Sequence, residues 1–316
     1  MSTAESRPAP CALDAVPIKV AGLSKRYGAR RALAGLSLTV GRGEIVGLLG
    51  GNGGGKTTTL RILAGLLAPD GGSGTVLGHD LERERAAIRC CVGYLAQRFS
   101  LYTSLSVRAN LRFRADVFGV AQPRAAVAAV VAAFGLESIE KSTLEQISGG
   151  QARLVQLACA VVHAPKLLLL DEPTAGLDAV ARQSVWRQMA RLSSQGTAVV
   201  LSTHEPADAS RCGKMVWLKE GAPRNSGTPS DLARQVPACV FLVRGANLVS
   251  LIEPLQALAG VIGCYPSGGN LRIVVAPGSA SVIRRHPLLR VCTVESAAPT
   301  LEDAVLEWSA QGSWQT

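Results

Sequence analysis

The sequence predicts an α/β protein in which a layered domain with a parallel sheet precedes a smaller α+β domain. Three observations support this prediction. Short apolar segments alternate with helical patterns between about residues 16 and 235, as expected for a sheet covered by helices. A glycine-rich run, GGNGGGKT, separates an apolar segment from a helical pattern near residue 50. A break rich in Pro and Gly at 225–238 then precedes a second alternation of strands and helices.

Three short, continuous apolar segments are predicted to be buried parallel strands, at residues 44–49, 166–172 and 198–204. A helix is predicted between the last two strands, over 177–196, with Asp178 as its N-terminal cap. Val185, Met189 and Leu192 recur at helical spacing, so they define the face that packs on the sheet.

The second domain, predicted over 238–312, has the order strand, helix, hairpin, helix, strand, helix. This order is typical of a small ferredoxin-like sandwich. The helix at 247–258 is expected to be interrupted at Pro254, and a Gly pair at 268–269 predicts the hairpin turn. Thr300 and Asp303 have the spacing of a capping box at the start of the last helix.

Composition excludes several classes of protein. The 316 residues contain no run of 18 apolar residues, and the N-terminus does not have the pattern of a secretory signal. The Pro, Ala and Ser content of 1–15 predicts a disordered leader. The eight cysteines form no CxxC pair and the four histidines are scattered, which favours reduced cytoplasmic thiols over disulfides or a metal site. The net charge is +10, but without a basic tract and with 4% aromatic residues no nucleic-acid partner is expected.

The glycine run fits the pattern G-x-x-x-x-G-K-[ST] at Gly50, Gly55, Lys56 and Thr57. It follows a predicted strand and begins a predicted helix, the context of a phosphate-binding loop. Glycines let backbone N–H groups surround a phosphate, Lys56 can reach the β- and γ-phosphates, and the Thr57 hydroxyl can ligate Mg²⁺. The candidate nucleotide-binding residues of this loop are Gly50, Gly51, Asn52, Gly53, Gly54, Gly55, Lys56, Thr57 and Thr58.

Two carboxylates follow the strand predicted at 166–172. Asp171 lies at the carboxyl end of this strand, where it can hold Mg²⁺ through water. Glu172 comes one residue later, where it can polarise the water that attacks the γ-phosphate. The combination with the glycine loop favours a nucleotide hydrolase over a solvated acidic turn.

Residues 18–235 resemble the ATP-binding subunits of ABC transporters, and the motifs occur in the order typical of that family. The segment ISGGQ at 147–151 is similar to the family signature, and AGLD at 175–178 is similar to the D-loop. Gln97, His204 and Tyr27 match the Q-loop glutamine, the switch histidine and the aromatic residue that stacks on adenine.

The resemblance implies a P-loop NTPase cassette over 16–235, with a RecA-like core, an antiparallel β-subdomain and a helical subdomain at about 98–160. It implies ATP and Mg²⁺ as ligands, with Thr57, Gln97 and Asp171 at the metal and with Glu172, His204, Gln97 and Lys56 in catalysis. The family uses the signature in trans, on ATP held by a partner's glycine loop. The residues expected to bind nucleotide in this way are Ser148, Gly149, Gly150, Gln151 and Asp178.

The sequence departs modestly from the family pattern. Gly51 and Gly54 stand where proline and alanine are usual, and the extra glycine is expected to loosen the loop. Pro206 follows closely after His204, which is also less usual.

Residues 98–120 and the segment APTLEDAVLEWSAQ resemble the multidrug and antibiotic exporter branch. This branch implies a homodimer or a homologous ATPase partner, separate integral-membrane permease subunits, and a cytoplasmic location on the inner face of the membrane. Four arginines lie in the permease-facing region with Asp116 as the nearby acid, and we hypothesise that some face the permease or anionic headgroups; these are Arg98, Arg108, Arg112 and Arg114. A solvated helix face is the alternative.

Two other functions remain open from the sequence. A soluble ABC ATPase, for example of the iron–sulfur assembly type, would share the same motifs. A binding module without hydrolysis is disfavoured because Glu172 and His204 are both present.

Overall fold

The computed structural model describes residues 16–310, which form two compact units. Within that range, the first unit comprises 16–205 and 212–226, and the second comprises 206–211 and 227–310. The predicted leader at 1–15 and the last two residues of the predicted second domain lie outside the described residues.

The first unit contains ten strands and six helices among its described residues. The strands are β1 (Ile18–Tyr27), β2 (Arg30–Val40), β3 (Ile45–Leu49), β4 (Gly71–Val76), β5 (His79–Asp80), β6 (Val92–Leu95), β7 (Leu167–Leu170), β8 (Ala198–Thr203), β9 (Lys214–Lys219) and β10 (Ala222–Gly227). The helices are α1 (Lys56–Leu63), α2 (Arg85–Cys91), α3 (Val107–Val117), α4 (Pro123–Phe134), α5 (Gly149–Val161) and α6 (Ala179–Ser194).

The central sheet of the first unit has six strands in the order β10-β9-β3-β8-β7-β6. Strand β3 pairs in parallel with β8 and β9, and β7 pairs in parallel with β8 and β6. Every residue of β7 and β8 is buried, which explains their continuous apolar sequences. The three predicted parallel strands are therefore confirmed, and the segments that follow them meet at one edge of the sheet.

A second sheet covers one side of this core. Strands β2, β1, β4 and β5 pair in that order, and all their pairings are antiparallel. Apolar residues from both sheets and from α1 form one cluster, which includes Leu36, Leu48 and Leu60. The α/β core and the antiparallel subdomain predicted for the first domain are both present.

Helices α3, α4 and α5 form a helical layer with a core of its own. Leu111, Val131 and Leu157 are buried there together with residues of β7 and β8. Helix α6 begins where predicted, because the Asp178 carboxylate accepts a hydrogen bond from the Ala181 backbone N–H at 2.8 Å.

The second unit contains five helices and four strands among its described residues. In chain order these are α7 (Pro206–Ala209), α8 (Pro229–Arg234), β11 (Cys239–Arg244), α9 (Ile252–Gln256), β12 (Val261–Ser267), β13 (Asn270–Val275), α10 (Ala280–Arg284), β14 (Thr293–Ala297) and α11 (Leu301–Ala310). The sheet order β12-β13-β11-β14 with antiparallel pairing is that of a ferredoxin-like sandwich, as predicted.

Two details of this unit differ from the prediction. The interruption expected at Pro254 is wrong, because α9 begins at Ile252 and the proline lies in its first turn, where a missing N–H breaks no bond. The break instead comes before it, at a 3₁₀ turn (Leu248–Leu251). Helices α7 and α8 pack on α11, so both belong to the second unit although the sequence places them in the first domain.

A buried ion pair fastens α11 to the sheet of the second unit. Asp303 is fully buried and accepts hydrogen bonds from the Arg272 guanidinium at 2.6 and 2.9 Å. It also accepts from the Tyr265 hydroxyl at 2.7 Å and from the Thr300 backbone N–H at 2.7 Å. The predicted Thr300–Asp303 cap is present, and none of the helices in the described range is long and apolar enough to cross a membrane.

Candidate functional site

The loop between β3 and α1 needs glycine at specific positions. Gly55 has a φ of 96°, and a Cβ there would lie 2.5 Å from the carbonyl oxygen of Ala32. A Cβ on Gly50 would lie 2.3 Å from the carbonyl oxygen of Leu218. Gly51 is different, because a Cβ there would meet no atom within 4 Å. Close packing therefore requires glycine at positions 50 and 55, but it does not require glycine at position 51.

Lys56 is the first residue of α1 and is buried inside this loop. Its Nζ donates to the carbonyl oxygens of Gly50 at 2.7 Å and Gly51 at 3.1 Å. The same ammonium lies 3.4 Å from Glu172 Oε1. The buried Lys56 ammonium therefore lies near the start of α1, where the first backbone N–H groups have no partner within the helix. This arrangement binds anions.

Thr57, Asp171 and Ser202 form a hydroxyl–carboxylate cluster at the carboxyl ends of β7 and β8. Thr57 Oγ1 donates to Asp171 Oδ1 at 3.0 Å, and Ser202 Oγ donates to the same oxygen at 2.7 Å. Ser202 Oγ also accepts from the Glu172 backbone N–H at 2.9 Å. Ser202 was not predicted, although a hydroxyl in a fully buried strand needs a hydrogen-bond partner and could have indicated it.

Glu172 and His204, both predicted as catalytic residues, lie in direct contact. His204 Nδ1 is 2.7 Å from Glu172 Oε2, whereas Glu172 Oε1 faces Lys56. Glu172 is 5% exposed and its backbone has a φ of 50°, which is unusual for a residue other than glycine. Such a backbone persists only where its surroundings hold it.

A cleft of about 220 Å³ lies over the glycine loop. Its lining includes Thr57, Thr58, Gln97 and Glu172 together with the predicted aromatic residue Tyr27, which is 48% exposed. Arg30 also lines this cleft, with a guanidinium nitrogen 3.5 Å from the carbonyl oxygen of Gly53. Arg30, the first residue of β2, was not predicted as a site residue, because no motif distinguishes it from the adjacent Arg31.

The signature segment forms the start of α5. Ser148 Oγ accepts from the Gln151 backbone N–H at 3.2 Å, and Gln151 Oε1 accepts from the Ser148 backbone N–H at 2.9 Å. This capping box uses the Gln151 side chain within its own helix. Asp178 likewise caps α6, so these two predicted ligand side chains both have structural bonds.

A second cavity, of about 690 Å³, lies beside the signature segment. Ser148, Gly149, Gly150 and Asp178 are among its lining residues, and the remaining polar or charged ones are Gln97, Arg153 and Glu172. Gln97 and Glu172 therefore line both the loop cleft and the signature cavity.

Arg153, in the second turn of α5, is buried and connects the two carboxylate positions to the segment of Gln97. Its guanidinium donates to the backbone carbonyls of Asp171 at 3.0 Å, Glu172 at 2.6 Å and Pro173 at 3.0 Å. Burial lowers the pKa of Arg153, and the charges of Asp171 and Glu172 oppose that shift. This arginine was not predicted either, although a charged residue directly before the apolar segment LVQLACAVV is unusual.

The arginines of the region after Gln97 are less free than the sequence indicated. Arg108 forms an ion pair with Glu140, and Arg112 pairs with Asp116 at 2.9 Å. The expectation that Asp116 is the only nearby acid is wrong. Glu140 is 32 residues away from Arg108 in sequence, but the fold brings the two side chains into contact. Arg114 lines a third cavity of about 350 Å³.

Comparison with known proteins decides the family. Residues 33–175 match the ABC transporter family model. The chain is 38% identical over 240 residues to the Nod factor export ATP-binding protein I of Paraburkholderia xenovorans, covering 75% of this chain and 79% of that protein. The chain belongs to the ABC transporter ATP-binding proteins. Its family membership, inferred from the motifs at Gly50–Thr57 and 147–151, is thus confirmed.

Other relatives of this ABC protein carry names from the predicted exporter branch. It is 43% identical to the daunorubicin resistance ATP-binding protein DrrA3 of Streptomyces coeruleorubidus, over 77% of this chain and 79% of that one. It is 38% identical to the probable multidrug ABC transporter ATP-binding protein YbhF of Escherichia coli K12, over 69% of this chain. The match spans 38% of the length of YbhF.

Solved structures agree with the fold. An ATP-binding subunit of an ABC transporter matches with a TM-score of 0.62 and 32% identity, over 69% of this chain and 92% of that one. A dimeric post-hydrolysis state of the ATP-binding cassette MJ0796, bound to ADP and Pi, matches with a TM-score of 0.61 and 25% identity, over 67% of this chain and 98% of that one. The predicted fold class is confirmed.

Proposed function

We propose that this ABC protein binds and hydrolyses MgATP at an interface between two ATPase subunits and thereby drives export through separate membrane permeases. The observation that carries the proposal is the contact of Glu172 with both Lys56 and His204 at the edge of the glycine-loop cleft. A carboxylate held between a phosphate-binding lysine and a histidine is suited to activating water beside a γ-phosphate.

Nucleotide binding follows from the loop and its cleft. The N–H groups at the start of α1 and the Lys56 ammonium supply positive potential for the phosphates. Tyr27 lines the cleft with an exposed ring, which we assign to adenine stacking. The loop residues from Gly50 to Thr58 complete the binding site.

The donor set fits Mg²⁺. Thr57 and Asp171 present a hydroxyl and a carboxylate oxygen 3.0 Å apart, and Gln97 lines the same cleft. Such hard oxygen donors are those that Mg²⁺ prefers, with phosphates and water as its remaining ligands. When bound, the cation would neutralise charge on the phosphates.

Hydrolysis is assigned to the chain's own groups around Glu172. The carboxylate accepts a proton from the attacking water, and His204 holds the carboxylate and the γ-phosphate in line. Gln97, which lines the same cleft, orients the water, and Lys56 stabilises the charge that develops on the phosphoryl oxygens.

The second half of each site comes from a partner subunit in this proposal. Ser148, Gly149 and Gly150 form the capped start of a 13-residue helix and line a cavity next to the loop cleft. A helix start of this kind attracts a γ-phosphate, so two copies, or one copy and a homologous subunit, would close on two ATP molecules. Asp178 and Gln151 support this surface by capping α6 and α5.

The transport role places this chain at the cytoplasmic face of a membrane, bound to permease subunits. The relatives named for Nod factor export, multidrug transport and daunorubicin resistance support this role over a soluble ABC ATPase. Because Arg108 and Arg112 are paired with acids, Arg98 and Arg114 remain the better candidates for contact with a permease.

The test is ATP hydrolysis by the purified chain and by the Lys56→Ala variant. Phosphate release that requires Mg²⁺ and disappears in Lys56→Ala is expected. A Lys25→Ala variant is the control, because that lysine pairs with Asp70 on the antiparallel sheet and should leave the rate unchanged. Hydrolysis that persists in Lys56→Ala would refute the proposed site.

A further inference from the structure

We infer that Arg153 is a positioning residue, which fixes the backbone of Glu172 and of the Gln97 segment relative to the signature helix α5. The inference rests on the proposed hydrolytic function of Glu172. It concerns a residue that lies outside the glycine loop and that bonds the backbone of Glu172.

Arg153 bonds the backbone at and around Glu172. Three successive carbonyls, those of Asp171, Glu172 and Pro173, all accept from one guanidinium at 2.6–3.0 Å. Such convergence holds the chain in a tight turn directly after β7. The turn includes the left-handed φ of Glu172, so the guanidinium offsets a backbone strain on the order of 1–3 kcal/mol.

The same guanidinium also holds the segment that follows β6. Its Nη1 donates to the carbonyl of Ala96 at 3.1 Å and to that of Gln97 at 3.4 Å. Gln156, one turn later on α5, accepts from Arg153 at 2.7 Å and donates to the Ala96 carbonyl at 3.3 Å. One buried side chain thereby joins the two backbone segments that carry Gln97 and Glu172.

Arg153 and its partner Gln156 are both buried. Arg153 is 8% exposed and Gln156 is 3% exposed, so neither can exchange these bonds for water at low cost. Arg153 lies four residues after Gly149, within the first turns of the helix whose start forms the signature. The positions of Glu172 and Gln97 are therefore tied to that helix start through one short, rigid connection.

An effect that acts through Glu172 has a specific kinetic signature. Arg153→Met preserves side-chain volume but removes every donor, so kcat for ATP hydrolysis should fall at least tenfold. KM for ATP and the affinity for MgADP should change less than threefold, because the glycine loop is untouched. In a Glu172→Gln background, Arg153→Met should lower the single-turnover rate by a much smaller factor than in the wild-type chain, since both changes disable Glu172 and only the effect on Gln97 remains.

Two further variants keep the inference testable if Arg153→Met does not fold. Arg153→Lys retains a buried cation with three donors and should recover part of kcat. Gln156→Met leaves the arginine and its carbonyl partners in place, and should lower kcat by a few-fold without weakening MgADP binding. Arg191→Met is the matched control, because that guanidinium stacks on Phe134 and bonds Gln188 away from the cleft.

The outcomes separate this inference from the proposed function. If the wild-type chain has no hydrolysis that Lys56→Ala abolishes, the proposed function fails. If that hydrolysis is present, three results each overturn the role of Arg153: wild-type kcat in Arg153→Met or, should that variant not fold, in Gln156→Met; parallel losses of kcat and MgADP affinity; or a loss that multiplies fully with that of Glu172→Gln. An arginine that only stabilises the fold would give either parallel losses of kcat and MgADP affinity or a loss that multiplies fully with that of Glu172→Gln.

Discussion

Two glycines of the phosphate-binding loop should respond in opposite ways to the same substitution. Gly55→Ala places a methyl group on a backbone with a φ of 96° and 2.5 Å from the carbonyl oxygen of Ala32. The left-handed conformation alone costs about 1–2 kcal/mol for such a residue. The backbone contact cannot be relieved by a side-chain movement, so the start of α1 must shift. Gly51→Ala meets no atom within 4 Å and requires no shift.

The magnitude follows from the bonds at stake. A hydrogen bond between a backbone N–H and a charged phosphate contributes about 1.5–3 kcal/mol. Loss of one such bond in Gly55→Ala should weaken MgADP binding by about one to two orders of magnitude. Gly51→Ala restricts the unfolded chain and should stabilise the loop by about 0.4–1 kcal/mol, so affinity should stay unchanged or rise up to about fivefold.

Isothermal titration calorimetry with MgADP measures both affinities without turnover. Circular dichroism and thermal melting of each variant provide the control for folding. If Gly51→Ala weakens binding as much as Gly55→Ala does, glycine content as such is required and the steric argument is wrong. Wild-type affinity in Gly55→Ala would equally refute it.

Three further predictions concern hydrolysis, the partner surface and the second unit. Glu172→Gln should bind ATP but hydrolyse it at least tenfold more slowly, and so accumulate a dimer on size exclusion with MgATP; a chain that stays monomeric would count against the shared site. Ser148→Arg should retain MgADP binding but lose hydrolysis, because its bulk and charge block the start of α5; normal phosphate release would contradict that role. Arg272→Met leaves the buried Asp303 carboxylate without its cation and should destabilise the second unit by about 3–5 kcal/mol, a loss that thermal melting against a solvent-exposed Arg244→Met control would detect. Burial raises the pKa of Asp303, but hydrogen bonds from Arg272, Tyr265 and Thr300 outweigh it and hold that pKa below its usual range. This contribution to the stability of the wild-type chain is complete above about pH 4, the pKa of an unfolded aspartate, and should be lost as the pH falls through the lower folded pKa; acid melting that is identical in wild type and Arg272→Met would exclude it.

Local patterns account for the parts of the structure that the sequence predicted correctly. The strands at 44–49, 166–172 and 198–204 were predicted from short apolar segments, and the predicted N-terminal cap Asp178 acts within three residues. The strand order of the second unit followed from its sequence of elements, because the ferredoxin-like pattern has few compact alternatives. These features depend on neighbours along the chain or on simple topology.

The missed features depend on distant contacts. Ser202 meets Asp171 across 31 residues, and Arg153 meets the Ala96 carbonyl across 57. No periodicity identifies such partners, because their hydrogen bonds join segments that are distant in sequence and that meet only in the folded sheet. Arg108 shows the same limit, since its acid Glu140 lies on the other side of α4 in sequence.

The position of Gln97 and Glu172 on the walls of both the loop cleft and the signature cavity has a consequence for mixed assemblies. In the proposed pair of subunits, each ATP site combines the loop cleft of one copy with the signature cavity of the other. A defective copy therefore contributes its Gln97 and Glu172 to both sites. A preparation in which half the molecules carry Glu172→Gln should therefore lose more than half of its turnover, with activity following the square of the intact fraction rather than the fraction itself.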